Sequence, residues 1–232
     1  LYLIILDLVF TFLTSSNIKI KFNFIVGMPH FKFPSHYVYW SQVKDHENIK
    51  SSVLPIINSL ISENKYDNPF KLCKFTTDNS KPSKFLSDEM IPKIITESLD
   101  KMIKETNCFN DHNPSDFRMT KYWFNRYEKG EYQELHNHGE IPHVINEKRF
   151  DATFSMIYIL HEEEPNSILF TMKDYATPFH PLFHPVEFDT SKVDDIKEGT
   201  VLVFSNHLIH TVLPVNVPGR TTIAFNVACC FE

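Results

Sequence analysis

The spacing of apolar residues divides the chain into a helical first part and a strand-rich second part. Between residues 41 and 63, apolar side chains recur every three or four positions, which predicts an amphipathic helix that Pro55 kinks or divides. Ser87 offers an N-cap for a second helix that runs through about Glu105. The apolar face of that helix carries Met90, Ile91, Ile94, Ile95, Leu99, Met102 and Ile103.

After Phe117 the pattern changes to short runs of apolar and aromatic residues between turns, which is typical of strands. Eight strands are predicted, over residues 119–127, 132–138, 151–160, 167–172, 186–189, 200–205, 210–215 and 221–230. Strands at this spacing indicate an antiparallel sandwich, jelly roll or barrel, with the helices on one outer face of a sheet. We therefore expect an α+β single domain over residues 28–232, with a jelly-roll core at about 118–232.

The N-terminal 27 residues do not fit this pattern. Residues 1–13 form an apolar run that Asp7 interrupts, and the run is too short to span a bilayer. It lacks the basic start and the small-residue cleavage site of a signal peptide, whereas Met28 opens a plausible start followed by an extended lead-in over residues 28–40. Residues 1–27 are an uncertain extension, interpreted as translated upstream sequence or a truncated fragment. A signal peptide, a membrane anchor and an ordinary strand pair are the alternatives.

Composition and charge narrow the class of protein. Hydrophobic residues make up 42% of the chain and charged residues 22%, which is ordinary for a globular protein. The net charge is −6, and the chain has no dense cluster of lysine or arginine, so a nucleic-acid surface is not indicated. Apart from the N-terminal apolar run, nothing in the sequence indicates a membrane partner. The chain has four cysteines, Cys73, Cys108, Cys229 and Cys230. Their spacing matches neither a CxxC pair nor a disulfide framework. Buried free thiols and a reducing, cytoplasmic compartment are favoured.

Candidate chemistry begins with His136 and His138, which lie two positions apart in a predicted strand and so point to one face. A jelly roll could bring His210, on a distant strand, to the same point. Two histidines with one further ligand and open positions are the arrangement of non-haem Fe(II) oxygenases. Arg220 and Thr222 share a face of the last strand, where a buried arginine would need a carboxylate partner. Solvated histidines and a surface salt bridge are the alternatives.

Three sequence pieces resemble a known family. They are Tyr127-Glu-Lys-Gly-Glu-Tyr-Gln-Glu-Leu-His136, Arg149-Phe-Asp-Ala-Thr-Phe-Ser-Met-Ile-Tyr-Ile-Leu160, and Glu198-Gly-Thr-Val-Leu-Val-Phe204 with the residues through His210 to Arg220-Thr-Thr222. In order and spacing, residues 121–226 resemble the double-stranded β-helix core of the Fe(II)/2-oxoglutarate-dependent dioxygenases. They are most similar to the prolyl-4-hydroxylase-like branch and to the 2OG-Fe(II) oxygenases of viruses and marine microbes.

The resemblance implies an enzyme that decarboxylates 2-oxoglutarate oxidatively to succinate and couples this to hydroxylation of a C–H bond in an unidentified substrate. His136 and His210 would bind Fe(II), and no catalytic residue is expected beyond the metal ligands. Arg220 would pair with the distal carboxylate of 2-oxoglutarate, with Thr222 and Tyr127 beside it and Tyr158 as a further neighbour. The partners implied are 2-oxoglutarate, O₂ and the substrate, with ascorbate as an optional further cofactor.

The chain departs from the family at His138, because the usual second metal ligand is Asp or Glu. Three interpretations follow, in this order: a three-histidine metal site, a site held by His136 and His210 alone, or a non-catalytic relative. Two rival classes also remain. One is a three-histidine cupin-type dioxygenase without 2-oxoglutarate, and the other is a jelly-roll binding or structural protein. The loops at 139–150 and 173–186 are expected to form the rim of the site.

Overall fold

The computed structural model describes residues 30–32, 37–63, 72–73, 75–77, 85–106, 114–139, 142–172 and 186–231. The helices are α1, His46–Ser62, and α2, Met90–Thr106. The strands are β1 His30–Lys32, β2 Tyr37–Gln42, β3 Phe75–Thr76, β4 Asp116–Tyr127, β5 Gln133–His136, β6 His143–Ile145, β7 Lys148–His161, β8 Ile168–Met172, β9 Val186–Asp189, β10 Thr200–Ser205, β11 Ile209–Val212 and β12 Arg220–Cys230. The predicted extension at 1–27 and most of the predicted rim loop, residues 173–185, lie outside the described residues.

Both predicted helices are present, and each buries one face. Ile49, Val53 and Ile57 of α1 are buried at four-residue intervals, which is the spacing of one helical stripe. Pro55 lies on the exposed side and does not divide the helix, which runs without interruption from residue 46 to residue 62. None of the helices among the described residues has the length and apolar character that crossing a bilayer requires.

The larger sheet has the strand order β1-β2-β10-β7-β12-β4-β3, with β6 paired to β7. β12 is an interior strand of this sheet, between β7 and β4, and all eleven of its residues are buried. Both faces of this sheet are covered because α1 and α2 pack on one face and the smaller sheet packs on the other. The helices therefore lie on one outer face of a sheet, as predicted.

The smaller sheet has the order β5-β11-β8-β9 and is antiparallel throughout. Its inward side chains, such as Phe170 and Val212, join a core with Ile157, Leu202 and Phe204 from the larger sheet. Two facing antiparallel sheets with helices outside form an α+β double-stranded β-helix, or jelly roll. This confirms the predicted fold class.

Several boundaries were predicted wrongly. Residues 37–40 were assigned to an extended lead-in and residues 41–42 to the first helix, whereas all six belong to β2, in which residues 38–42 pair with β10. Residues 139–150 were predicted as a loop, but β6 and the start of β7 form a hairpin there. Cys73, Cys229 and Cys230 are free and buried, as predicted, and Cys108 lies outside the described residues.

Candidate metal and carboxylate site

Three imidazoles converge between the two sheets. His136 ends β5 and pairs directly with His210 of β11. His138 follows two residues later, where its backbone N–H donates to the Asn206 carbonyl oxygen at 2.9 Å. The ring centres are 4.3 Å apart for His136 and His210, 4.9 Å for His138 and His210, and 5.2 Å for His136 and His138. One nitrogen from each ring lies within 4.8 Å of the others, so a single ion could contact all three.

Backbone carbonyls orient two of these rings. Nδ1 of His136 lies 2.6 Å from the Glu134 carbonyl oxygen, and Nδ1 of His210 lies 3.0 Å from the Leu208 carbonyl oxygen. A carbonyl oxygen only accepts, so Nδ1 is assigned the proton in each ring and Nε2 keeps its lone pair. Nε2 of His210 is buried without a hydrogen-bond partner among the described residues. This outer arrangement is the one that metal-binding histidines use.

The electrostatics of the cluster favour neutral rings. Burial, with a smaller contribution from the neighbouring His136, lowers the pKa of His138 to about 3. Burial also holds the pKa of His210 well below its ordinary value, with smaller contributions from His136 and His138. Neutral imidazole is the form that binds a metal ion. The residues present therefore fit a divalent transition metal with nitrogen preference.

Arg220 lies at the start of β12 with its side chain only 2% exposed. Its Nε donates to Oε2 of Glu162 at 3.1 Å, and its guanidinium carbon lies 5.6 Å from the centre of the Tyr127 ring. Nη1 and Nη2 are buried and have no partner among the described residues. Buried donors are nearly always paired in folded proteins, so these two nitrogens mark a place for an acceptor. A carboxylate suits a guanidinium best.

His138, His210 and Arg220 border one cavity between the sheets. Its lining residues are Asn125, Tyr127, Gln133, His138, Ile157, Ile168, His210, Val212, Arg220, Thr222 and Ala224. Tyr127 Oη donates to Gln133 Oε1 at 3.0 Å, and burial raises the pKa of Tyr127 well above its ordinary value. The phenol is therefore neutral and able to donate. The structure thus brings together His138, His210, Arg220, Thr222 and Tyr127 along this cavity, with His136 beside them.

Tyr158 was predicted to lie beside the carboxylate site, and the structure places it elsewhere. It packs in the core between the larger sheet and the helices, and its Oη lies 2.6 Å from His46 Nδ1. Ile157 and Ile159 face the cavity side instead, because neighbouring residues of a strand point to opposite faces. The prediction was wrong because it assigned Tyr158 to the opposite face of β7.

Three residues of the site were missed from the sequence. Asn125 lines the cavity and lies two positions before Tyr127, so the alternation of β4 could have found it. Gln133 accepts from the Tyr127 hydroxyl but carries no distinctive local motif. Glu162 reaches Arg220 across 58 positions of sequence from a run of three glutamates that reads only as a turn.

Aromatic rings enclose the metal end of the site. The Phe204 and Phe170 ring centres lie 4.9 Å and 5.5 Å from that of His210, and the Trp123 ring centre lies 5.2 Å from that of His138. Nδ1 of His138 is buried and unpartnered among the described residues. Large apolar neighbours limit the access of water to the imidazoles and so strengthen their interaction with an ion.

Comparison with known proteins shows the fold. No protein-family model matches the chain, and no curated protein matches it. Among solved structures, the non-haem α-ketoglutarate-dependent epimerase SnoN from nogalamycin biosynthesis is similar with a TM-score of 0.53 at 9% identity, covering 82% of this chain and 76% of that one. This likeness supports the jelly roll.

Two further solved structures match with lower TM-scores. A prolyl-4-hydroxylase from Pseudomonas putida has a TM-score of 0.45 at 14% identity, covering 84% of this chain and 92% of its own. HygX from Streptomyces hygroscopicus, with nickel and 2-oxoglutarate bound, has a TM-score of 0.47 at 12% identity, covering 82% of both chains.

Proposed function

We propose that this chain is an Fe(II)- and 2-oxoglutarate-dependent dioxygenase that hydroxylates an as yet unidentified substrate. One observation carries the proposal. Two members of a three-histidine cluster, His138 and His210, border the same cavity as a buried arginine, Arg220, whose two Nη nitrogens are unpartnered among the described residues. 2-Oxoglutarate has a matching pair of groups: a 2-oxo acid that chelates a metal ion and a separate carboxylate. The reaction class of the similar solved structures agrees with this reading.

In this proposal the metal ligands are His136, His138 and His210. Bound Fe(II) would supply activation of O₂, which couples oxidative decarboxylation of 2-oxoglutarate to hydroxylation of a C–H bond. The three imidazoles would hold the ion in a neutral nitrogen set and leave the remaining positions open. A three-histidine site remains preferred over one held by His136 and His210 alone, because the His138 ring lies within the same cluster.

Other residues of the cavity would bind and orient the co-substrate. Arg220 would take the distal carboxylate with Nη1 and Nη2. The neutral Tyr127 hydroxyl, which donates to Gln133 Oε1 in the structure, would turn to donate to the same carboxylate. Thr222 lies beside them on the same face of β12. Ile157 and Ile168 would cover the methylene carbons and exclude water between the two polar ends. Ascorbate stays an optional further cofactor in this proposal.

The experiment that tests the proposal is an anaerobic titration of 2-oxoglutarate into the Fe(II)-loaded protein. Chelation of the ion by the 2-oxo acid gives a weak visible charge-transfer band, and we expect this band in the wild type. Arg220→Ala should abolish it at the same co-substrate concentration, because the carboxylate loses its partner. The matched control is Arg149→Ala, since Arg149 is an exposed arginine whose Asp151 partner is also exposed at the surface.

The other outcomes separate the rival classes. Protein that binds no iron and gives no band contradicts the proposal and favours a jelly-roll binding or structural protein. Protein that binds iron but gives no band favours a three-histidine metal enzyme that does not use 2-oxoglutarate. A band in the wild type that His138→Ala removes, together with its iron, supports the three-histidine set. A band that His138→Ala leaves unchanged supports ligation by His136 and His210 alone.

A further inference from the structure

Glu162 is buried beside Arg220 at the turn that follows β7. Its side chain is 3% exposed, and Oε2 accepts from Arg220 Nε at 3.1 Å. A buried ion pair is expensive to desolvate and is often no more stabilising than apolar side chains of the same size. Stability alone therefore does not account for the pair. Its effect on Arg220 is to occupy Nε and to leave Nη1 and Nη2 available.

The Glu162 residue is itself held from several directions. Its backbone N–H donates to Oε2 of Glu198 at 2.9 Å, and Nδ1 of His161 lies 2.9 Å from the same oxygen. The Glu162 carboxylate also accepts a hydrogen bond from the Asn166 backbone N–H. It thus serves two donors at once, Arg220 Nε and the Asn166 amide. These contacts fix the Glu162 carboxylate, and the carboxylate in turn positions the Arg220 guanidinium through Nε.

This arrangement selects one edge of the guanidinium for ligand binding. A guanidinium has five donor hydrogens in one plane, and a carboxylate can approach it either across Nε and one Nη or across the two Nη nitrogens. Glu162 occupies Nε, so the first approach is closed. Nη1 and Nη2 are unpartnered among the described residues, and Arg220 lines the cavity. The approach across the two Nη nitrogens is the one that remains.

The charges point to the class of ligand. Imidazoles that bind a metal ion are neutral, and Arg220 and Glu162 offset each other, so the side chains around a bound ion add no net charge. A divalent ion and a dicarboxylate also offset each other, so the filled site stays neutral. A monocarboxylic 2-oxo acid would leave the Nη nitrogens unpartnered and one positive charge uncompensated in a buried place, which is costly.

We propose that Glu162 is a positioning residue that makes the site selective for a 2-oxo acid with a second carboxylate. It occupies Nε of Arg220, offsets the charge of the guanidinium, and keeps Nη1 and Nη2 available to the ligand. This inference rests on the proposed function, since it concerns the co-substrate of the same cavity. Glu162 acts through Arg220 and has no part in the chemistry of the substrate.

The test compares two ligands of equal chain length, 2-oxoglutarate and 2-oxopentanoate, which lacks the distal carboxylate. Each is titrated into the anaerobic Fe(II)-loaded protein by calorimetry, and the ratio of the two dissociation constants is the readout. Glu162→Gln should reduce the preference for 2-oxoglutarate by about tenfold or more, because a neutral amide loses the charge-assisted hydrogen bond that fixes the Arg220 guanidinium. The affinity for Fe(II) should not change.

The matched control is Glu164→Gln, which makes the same charge change at an exposed position of the same turn and should leave the ratio unaltered. Loss of a buried charge partner could prevent Glu162→Gln from folding. Glu162→Asp is therefore made in parallel, since it keeps the charge and both acceptor oxygens but withdraws them by one methylene. We expect the preference to fall in this variant as well.

The outcomes separate this inference from the proposed function. A wild-type protein that binds both ligands equally contradicts both. A wild-type preference that survives in the Glu162 variants contradicts the positioning role alone. A preference that increases in Glu162→Gln also overturns it, because Glu162 would then compete with the ligand for Arg220 instead of orienting it.

Discussion

Backbone contacts within two residues of each ring orient the imidazoles of His136 and His210. In each case Nδ1 lies against the carbonyl oxygen two positions earlier in the chain, Glu134 for the first and Leu208 for the second. The strand itself therefore orients the ring, and the orientation does not depend on a distant side chain. This explains how a site can be assembled by pairing two short strands, β5 and β11, in the correct register.

The residue-scale prediction concerns metal binding. His210→Ala should lower the affinity for Fe(II) by at least about 100-fold, more than the loss typical of an outer-shell partner, because a ligand is removed from a set of three. His207→Ala is the control, since His207 is an exposed histidine three positions earlier. Anaerobic equilibrium dialysis with iron analysis measures both variants. Equal affinity in the two variants would show that His210 does not bind the ion.

The residues that could be predicted are those whose chemistry is visible within one strand. The His136 and His138 pair and the Arg220 and Thr222 pair follow from i, i+2 parity. In the structure His138, Arg220 and Thr222 line one cavity, and His136 lies beside His138. Tyr158 failed on the same rule, because the register of β7 is decided by its neighbours and not by its own alternation. Glu162 could not be found at all, since its partner lies on a strand that is remote in sequence.

Glu198 shows how an element is held in place by charge. Its carboxylate accepts from Lys50 Nζ and lies 3.3 Å from His46 Nε2, both on α1, and 2.9 Å from His161 Nδ1 at the end of β7. Burial alone would raise the pKa of Glu198, but these donors and the Glu162 backbone N–H lower it to about 2. The cluster joins α1 to the C-terminal end of β7 in the larger sheet.

Acid should therefore weaken this connection. The pKa of Glu198 is about 2 in the folded protein against an ordinary 4.5, so its contribution is complete above pH 4.5 and is lost as the pH falls towards 2. Glu198→Gln should lower the free energy of unfolding at pH 7 by about 2 kcal/mol, allowing for partial solvent screening, and flatten its decline between pH 4.5 and 2. Urea unfolding at a series of pH values measures this, with Glu164→Gln as the exposed control. Parallel curves for Glu198→Gln and wild type would contradict it.

Pro55 gives a second prediction at the scale of an element. It lies on the exposed side of α1 and buries little, yet a proline inside a helix removes one backbone hydrogen bond. Pro55→Ala should raise the free energy of unfolding by about 2 kcal/mol, after allowing for the greater freedom of the unfolded chain. Ser52→Ala on the same face should change it by about 0.5 kcal/mol at most. Chemical denaturation compares them, and no stabilisation by Pro55→Ala would contradict the argument.

The elements themselves were predictable to different degrees. Helices α1 and α2 and strands such as β9 and β10 have strong local patterns, and the structure has them close to where they were expected. Strand β2 was missed because its aromatic residues follow two prolines, and because its partner β10 comes late in the chain. Hairpin β6–β7 was missed because the residues of its turn, Asn146 and Glu147, adopt positive φ. Glycine is the usual sequence signal for positive φ in a two-residue turn, and this turn has none.

At the scale of the whole molecule, the last strand of the chain lies in the interior of the larger sheet and not at its edge. β12 lies between β4 and β7, its residues are all buried, and it begins with Arg220. Fold class could be predicted from the number and spacing of strands, but this interior position could not, since it depends on pairing between distant segments. The single domain over residues 28–232 stays a prediction. Because β12 carries Arg220, which lines the cavity, and also joins β7 to β4 in the larger sheet, we expect ligand binding and global stability to be coupled.

This coupling gives the last prediction. Fe(II) and 2-oxoglutarate bound between the two sheets should stabilise the folded protein, and 2-oxoglutarate at about 100 times its dissociation constant should add about 2.7 kcal/mol to the free energy of unfolding. The co-substrate should add nothing without the metal, because one of its two attachments is then missing. Arg220→Ala should keep the increment from Fe(II) and lose the one from 2-oxoglutarate, whereas Arg149→Ala should keep both. Anaerobic thermal unfolding measures each increment, and an equal effect of 2-oxoglutarate with and without Fe(II) would show that the two groups of the cavity do not act on one ligand.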